Sequence, residues 1–316
     1  MSAHRVTWQA ATLLTTISAL WAASALAAKV ALGGPGGGGA GTLGPYTLAF
    51  VRFGVAGVLL AAVQRARGRR MALGRSDRWP AIVLGLCGIT ITYSVFYGGM
   101  RWTTATETTL LVAAEPIVIA VLAWLLLHER VGPLRALGLG IGFVGVYLIV
   151  VQGWVPRPTG TAAGNALVTA ALCVEAYTSI LAKRLVRRYP GLTVLVYEMV
   201  FGSLLLLPMA VWECAARRQG VPSAQAMVAI AYLTLVCSLL CYTAWFWLLP
   251  RLDVSRMAVF LFIQPFVGAV LGHVVLNEPF GAWTAAGAAL VVAGVWLVSA
   301  PNPRAVGKVP SEAVEG

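Results

Sequence analysis

Long apolar runs alternate with short polar breaks along the whole chain. Ten runs approach the roughly 20 residues a helix needs to cross a bilayer. They fall at about 8–30, 46–63, 81–99, 103–127, 133–151, 164–182, 192–212, 226–249, 254–276 and 281–300. Barrel strands would be shorter and would alternate apolar with polar positions, whereas these runs are continuous. The pattern therefore predicts an all-α integral membrane protein with ten transmembrane helices.

The runs repeat. At a fixed offset Tyr93 falls on Tyr242, Pro116 on Pro265, Glu129 on Glu278, Gly138 on Gly287 and Gly145 on Gly294, with no gap across three runs. GPYTLAFVRF in the second run lines up with PGLTVLVYEM in the seventh. SALWAASALAAKVAL in the first lines up with LCVEAYTSILAKRLV in the sixth. The first run has some features of a cleaved secretory leader, but a leader has no reason to mirror an internal helix, so it is expected to be retained. Five spans per copy is an odd number, which turns the second copy upside-down and predicts an inverted repeat. The expected units are 8–152 and 164–300, followed by a short cytoplasmic tail at 301–316.

Composition agrees on the solvent. The chain is 59% hydrophobic and 11% charged, with a mean hydropathy of +0.83, too little polar surface for a water-soluble domain. A net charge of +12 could serve nucleic acid, but the basic residues stand in clusters between apolar runs, as orientation signals do, so nucleic acid is set aside as a partner. RARGRRMALGRSDR, HERVGPLR, KRLVRR and the tail fall on one side. The opposite side carries GGPGGGGAGTLG and a linker near 154–165, both poor in charge. This places both termini in the cytoplasm of a multi-pass protein of the cell inner (plasma) membrane.

Enzyme signatures are absent: the sequence has no GxSxG, no HExxH, and no glycine pattern that would cradle phosphate. Five scattered cysteines and three histidines suggest neither disulfides nor a metal site. No cofactor is expected.

Taken together, the ten spans in two copies, the proline in each fourth helix, the glutamate 13 residues later (Glu129, Glu278) and the fifth helices ending GVYL or GVWL resemble the EamA type of the drug/metabolite transporter superfamily. Arg52 in PYTLAFVRF and the lysines ending the first and sixth runs fit that pattern. The resemblance implies an exporter of amino acids or other metabolites, often proton-coupled, with a central cavity lined by the first four helices of each copy. It also implies an aromatic residue in the sixth helix where this chain has Glu175.

Charges inside spans sharpen the picture, because each costs several kcal/mol unless it faces protein or water. Lys29, Arg52, Glu107, Glu115, Glu175 and Glu198 lie within or at the ends of runs. Glu115 stands opposite Gln264 in the repeat, and Glu107 opposite Arg256, so the copies share polar positions without sharing charge. Arg52 and Glu198 are expected to form an ion pair between helices, and Lys29 to snorkel to the interface. Glu129 and Glu278 are expected to cap the helices that follow them. Gly138, Gly142 and Gly145 suit close helix packing.

Pro116 and Pro265 each deprive a carbonyl of its helical partner, which predicts breaks at mid-membrane depth beside a cavity. A desolvated carboxylate at Glu115 could take and give a proton there, and Glu175 would draw a cationic amino group. Tyr93, Tyr97, Tyr242, Trp245 and Phe246 could stack on a solute. The reading is a secondary transporter exporting a small-molecule substrate across the lipid bilayer, an amino acid or related amine. The alternatives are a lipid-linked-sugar flippase, or a non-transporting membrane sensor or assembly subunit.

Reporter fusions test the topology. Fusions after Arg70 and after Arg187 should be cytoplasmic, and those within 34–39 or near Asn277 external. Finding Glu129 and Glu278 on the same side would defeat the arrangement.

Overall fold

The computed structural model describes residues 3–32, 43–69, 71–99, 102–103, 105–129, 131–151, 153, 161–217, 221–276 and 281–299. The glycine-rich loop, Asn277, Glu278 and the tail lie outside the described residues, as do the side chains of Lys29 and Glu107.

Every regular element among the described residues is helical. They line up as α1 (Ala3–Ala22, continued by Ser24–Ala31), α2 (Pro45–Ala66), α3 (Arg75–Gly99), α4 (Ala105–Leu127) and α5 (Pro133–Val151). The second half supplies α6 (Ala162–Val186), α7 (Gly191–Arg217), α8 (Ala224–Leu248), α9 (254–276) and α10 (Ala282–Ser299). Seven helices are long and apolar enough to span a membrane, and Leu111–Leu127 and Ala282–Val298 add shorter apolar stretches.

Local chemistry sets the starts of these helices. Pro45 and Pro133 occupy first turns, where a missing amide hydrogen costs nothing. Thr161 and Ser223 accept hydrogen bonds from the amides of Gly164 and Ala226.

One end of the bundle gathers the α2–α3, α4–α5, α6–α7 and α8–α9 connections. Arg188 pairs with Asp77 at 3.0 Å, and Tyr189 donates to the same carboxylate at 2.8 Å. Lys183 donates to the carbonyls of Leu249 and Leu252 at 2.5 and 2.6 Å, and Arg184 to that of Leu126 at 3.0 Å. This is the end that carries the basic clusters. At the other end Thr161 bonds the Trp102 carbonyl, and the Glu213 carboxylate accepts from the Thr47 amide at 3.0 Å, capping α2.

The copies meet each other at equivalent positions. α5 and α10 cross antiparallel: a methyl on Gly145 would lie 2.7 Å from the Gly287 carbonyl oxygen, and one on Gly138 would lie 2.8 Å from that of Gly294. α2 and α7 cross likewise, with Gly54 against Ser203 and Gly57 against Val200. Such closeness gives backbone-to-backbone van der Waals contact, which drives helix association where water cannot.

Two expectations need correction. Glu129 does not cap α5: its carboxylate accepts from the amides of Val254 and Ser255 at 3.0 and 3.1 Å, capping α9 in the other copy. Pro116 does not break α4, which runs as one α-helix through it, while α9 tightens into a 3-10 turn at Val259–Phe262 just before Pro265. The larger irregularities lie elsewhere, in π-helical stretches at Leu86–Ile91 of α3 and Tyr232–Cys241 of α8. Wide turns of this kind leave backbone groups to find other partners; Thr92 donates to the Cys87 carbonyl at 2.8 Å.

The glycine crossing predicts a position-specific effect. Gly145→Ala should lower the melting temperature of the purified protein, since overpacking costs about 1–3 kcal/mol. Gly140→Ala, where nothing lies within 4 Å, should leave it unchanged. Equal behaviour of the two variants would contradict the crossing.

Candidate functional site

The two π-helical stretches sit beside the centre of the bundle. Between them Tyr93 of α3 and Tyr242 of α8, equivalent residues of the two copies, join hydroxyl to hydroxyl at 3.1 Å. The second copy of the motif thus touches the first on the pseudo-symmetry axis.

Rings surround this pair. Phe53 lies 4.7 Å from Tyr93 and 6.0 Å from Tyr242, Trp21 lies 5.4 Å from Tyr242 and 5.8 Å from Trp245, and Tyr97 lies 5.6 Å from Tyr93, all between centroids. Edge and tilted contacts of this kind suit the ring quadrupoles. Trp21 is tied down by its indole N–H, which donates to the Cys237 carbonyl at 3.1 Å within the π-helical stretch of α8. Tyr232 donates back to the Leu20 carbonyl at 2.6 Å.

Charge enters on four helices. Arg52 of α2 is 4% exposed. Its Nε donates to the Ser238 hydroxyl at 2.6 Å, and its guanidinium carbon stands 4.8 Å from the Phe53 centroid and 5.5 Å from that of Tyr93. Glu175 of α6 interacts electrostatically with Arg52, and with both Glu115 of α4 and Glu198 of α7. Glu115, Glu175, Tyr93 and Tyr242 are only half-buried, although each lies among helices of both copies.

Arg52 and Glu198 do not form the ion pair expected from sequence. Glu198 lies 6% exposed against α3, where a methyl on Gly88 would fall 2.5 Å from its Oε1. Its Oε2 has no hydrogen-bond partner among the described residues. The reason is symmetry. In the aligned segments GPYTLAFVRF and PGLTVLVYEM, Arg52 and Glu198 occupy the same position, so each packs against the π-helical stretch of the opposite copy, and the two point to different helices.

Other candidates are distributed unevenly. Tyr97 joins the cluster, 7% exposed. Gln264 is half-buried on α9, just after the 3-10 turn. Phe246 is core: it is 3% exposed, and its carbonyl lies against Gly191 at the start of α7. Trp21 and Ser238 belong to the site although sequence reasoning gave neither a role. Ser238 carries no signal of its own, since its partner in the other copy is Ile89. Among the described residues no group of three or more His, Cys, Asp or Glu could hold a metal ion.

Comparison with known proteins agrees with this architecture. The EamA-like transporter family matches residues 8–151 and 162–300. An uncharacterized transporter of Archaeoglobus fulgidus is 28% identical over 291 residues, which cover 91% of this chain and 96% of the relative. A probable terminal-alkyne amino-acid exporter of Streptantibioticus cattleyicolor is 30% identical over 314 residues, covering 98% and 97%. One protein crystal structure, 20% identical, shares the fold with a TM-score of 0.74 over 92% of this chain and 97% of its own. Two matched segments spanning nearly the whole chain place it, as a multi-pass membrane protein, in the EamA-like transporter family.

Proposed function

We propose that this protein is a secondary transporter that exports a small metabolite bearing an amino group, by proton-coupled alternating access. Its ten helices all span the membrane, as two inverted five-helix repeats at 8–152 and 164–300, with both termini in the cytoplasm. The basic clusters collected at one end of the bundle support that orientation.

The observation that carries the reading is the electrostatic interaction of two half-buried carboxylates, Glu115 and Glu175, the second of which also interacts with Tyr93 and Tyr242. Two carboxylates close together in a low dielectric repel and cannot both stay charged cheaply. A proton on one of them, or a cationic amino group between them, relieves that repulsion. The two ligands therefore compete for one site, which is what coupled antiport requires. Proton entry from one side then releases the substrate on the other. The likeness to an amino-acid exporter supports an amino group on the substrate. The antiparallel glycine crossings, where the two repeats approach closely at equivalent positions, support movement of one repeat against the other as a unit.

Glu115→Gln tests the coupling while preserving shape. In proteoliposomes containing the purified chain, with radiolabelled L-leucine as probe, transport driven by a pH gradient should be lost. Exchange of labelled for unlabelled leucine should persist. Unchanged pH-driven transport in the variant would assign Glu115 a structural role.

A further inference from the structure

The central site contains a cation that the fold does not explain. Arg52 lies between α2, α3 and α8; its Nε donates to the neutral Ser238 hydroxyl at 2.6 Å, and the Tyr97 hydroxyl interacts with it electrostatically. Among the described residues no carboxylate stands within ion-pairing distance of it; the ion pairs described are Arg135–Asp253 and Arg188–Asp77, at the end of the bundle. A buried guanidinium normally takes a carboxylate in bidentate geometry, and a hydroxyl with the Phe53 and Tyr93 rings at 4.8 and 5.5 Å leaves most of its fork unpaired.

Packing gives no reason for the charge. The equivalent position of the other copy is Glu198, which sits against the π-helical stretch of α3 as Arg52 sits against that of α8. One scaffold position thus accepts opposite charges, so the cation is not demanded by the helix crossing. Its setting differs in one respect. Three tyrosine hydroxyls, of Tyr93, Tyr97 and Tyr242, and the Glu175 carboxylate all interact electrostatically with Arg52.

We infer that Arg52 is the anion-recognising residue of the transport site, binding the carboxylate of a zwitterionic substrate whose ammonium group is met by Glu175. The inference rests on the transport reading above and assigns a residue to specificity within it. The substrate carboxylate displaces the Tyr97 hydroxyl from the guanidinium, while the Nε–Ser238 bond keeps the fork in position. A purely cationic ligand would add positive charge beside Arg52 with nothing to offset it. A purely anionic ligand would be repelled by Glu175. A molecule carrying both groups neutralises both side chains at once.

The test uses the full-length purified protein and three probes: L-leucine, L-leucinamide, which keeps the ammonium and replaces the carboxylate with a neutral amide, and N-acetyl-L-leucine, which does the reverse. Binding is read by thermal-shift titration. Wild type should bind leucine more tightly than either analogue. Arg52→Gln should weaken leucine by roughly tenfold or more, the loss expected for a charge-assisted hydrogen bond, while leucinamide, relieved of the like charge beside it, should bind at least as tightly as to wild type. Retained leucinamide binding in the same sample shows that the variant is folded. Arg52→Lys, which keeps the charge and loses the fork, should fall between the two. Arg52 has no such role if Arg52→Gln retains the wild-type ratio of leucine to leucinamide, or if wild type favours leucinamide or binds no leucine. Transport separates the two levels: leucinamide but not leucine driven by a pH gradient would preserve the exporter and remove the role of Arg52, whereas movement of neither would remove the exporter reading itself.

Discussion

The carboxylate of Glu129 closes the end of α4, yet it accepts its hydrogen bonds from Val254 and Ser255, which open α9 in the other half of the chain. Glu213, at the end of α7, returns the favour by accepting from Thr47 at the start of α2. This reciprocal capping answers the constraint that governs any protein in a bilayer: helix ends and buried charges cannot be left to solvent. Losing such a cap costs about 0.5–2 kcal/mol in ordinary settings. The same logic extends inward, where Arg52 reaches Ser238, Trp21 reaches Cys237 and Tyr232 reaches Leu20, each across the two halves. Each half satisfies some of the other's buried polar groups, so the halves are interlocked partners rather than separate domains.

Interlocking along a pseudo-two-fold axis has a functional consequence. Where equivalent residues are the same, as at Tyr93 and Tyr242 or at Gly145 and Gly294, the contact is self-complementary. Where they differ, the difference falls at the centre. Arg52 stands opposite Glu198, and Glu115 opposite Gln264. Symmetry supplies the frame and its local failure supplies the chemistry, since a wholly symmetric centre would carry pairs of like charges that a low dielectric does not tolerate.

Much of this was legible in the sequence because it depends on periodicity and composition. The apolar runs, their repetition and the glycines of α5 are read directly from residue order. What escaped depends on distant partners. A carboxylate beside a helix start reads locally as that helix's cap, so Glu129 pointed to α5, whereas the nearest unpaired amides in space belong to α9. The π-helical stretches of α3 and α8 carry no marker residue, while the prolines that mark α4 and α9 proved compatible with an unbroken helix in the first and a single tight turn in the second. The separate roles of Arg52 and Glu198 were within reach: the aligned segments already place them at one position, and two residues related by the axis face different helices.

Under the proposed transport cycle the intramembrane acids Glu115 and Glu175 must meet water from one side of the membrane. Substituted-cysteine labelling tests this directly. In a background with Cys87, Cys173, Cys214, Cys237 and Cys241 replaced, Glu115→Cys and Glu175→Cys should react with a membrane-impermeant cationic methanethiosulfonate, while Leu204→Cys, on an exposed apolar face of α7, should not. Failure of both central positions to react, in membranes where cysteines placed in the polar connections are labelled, would contradict the account.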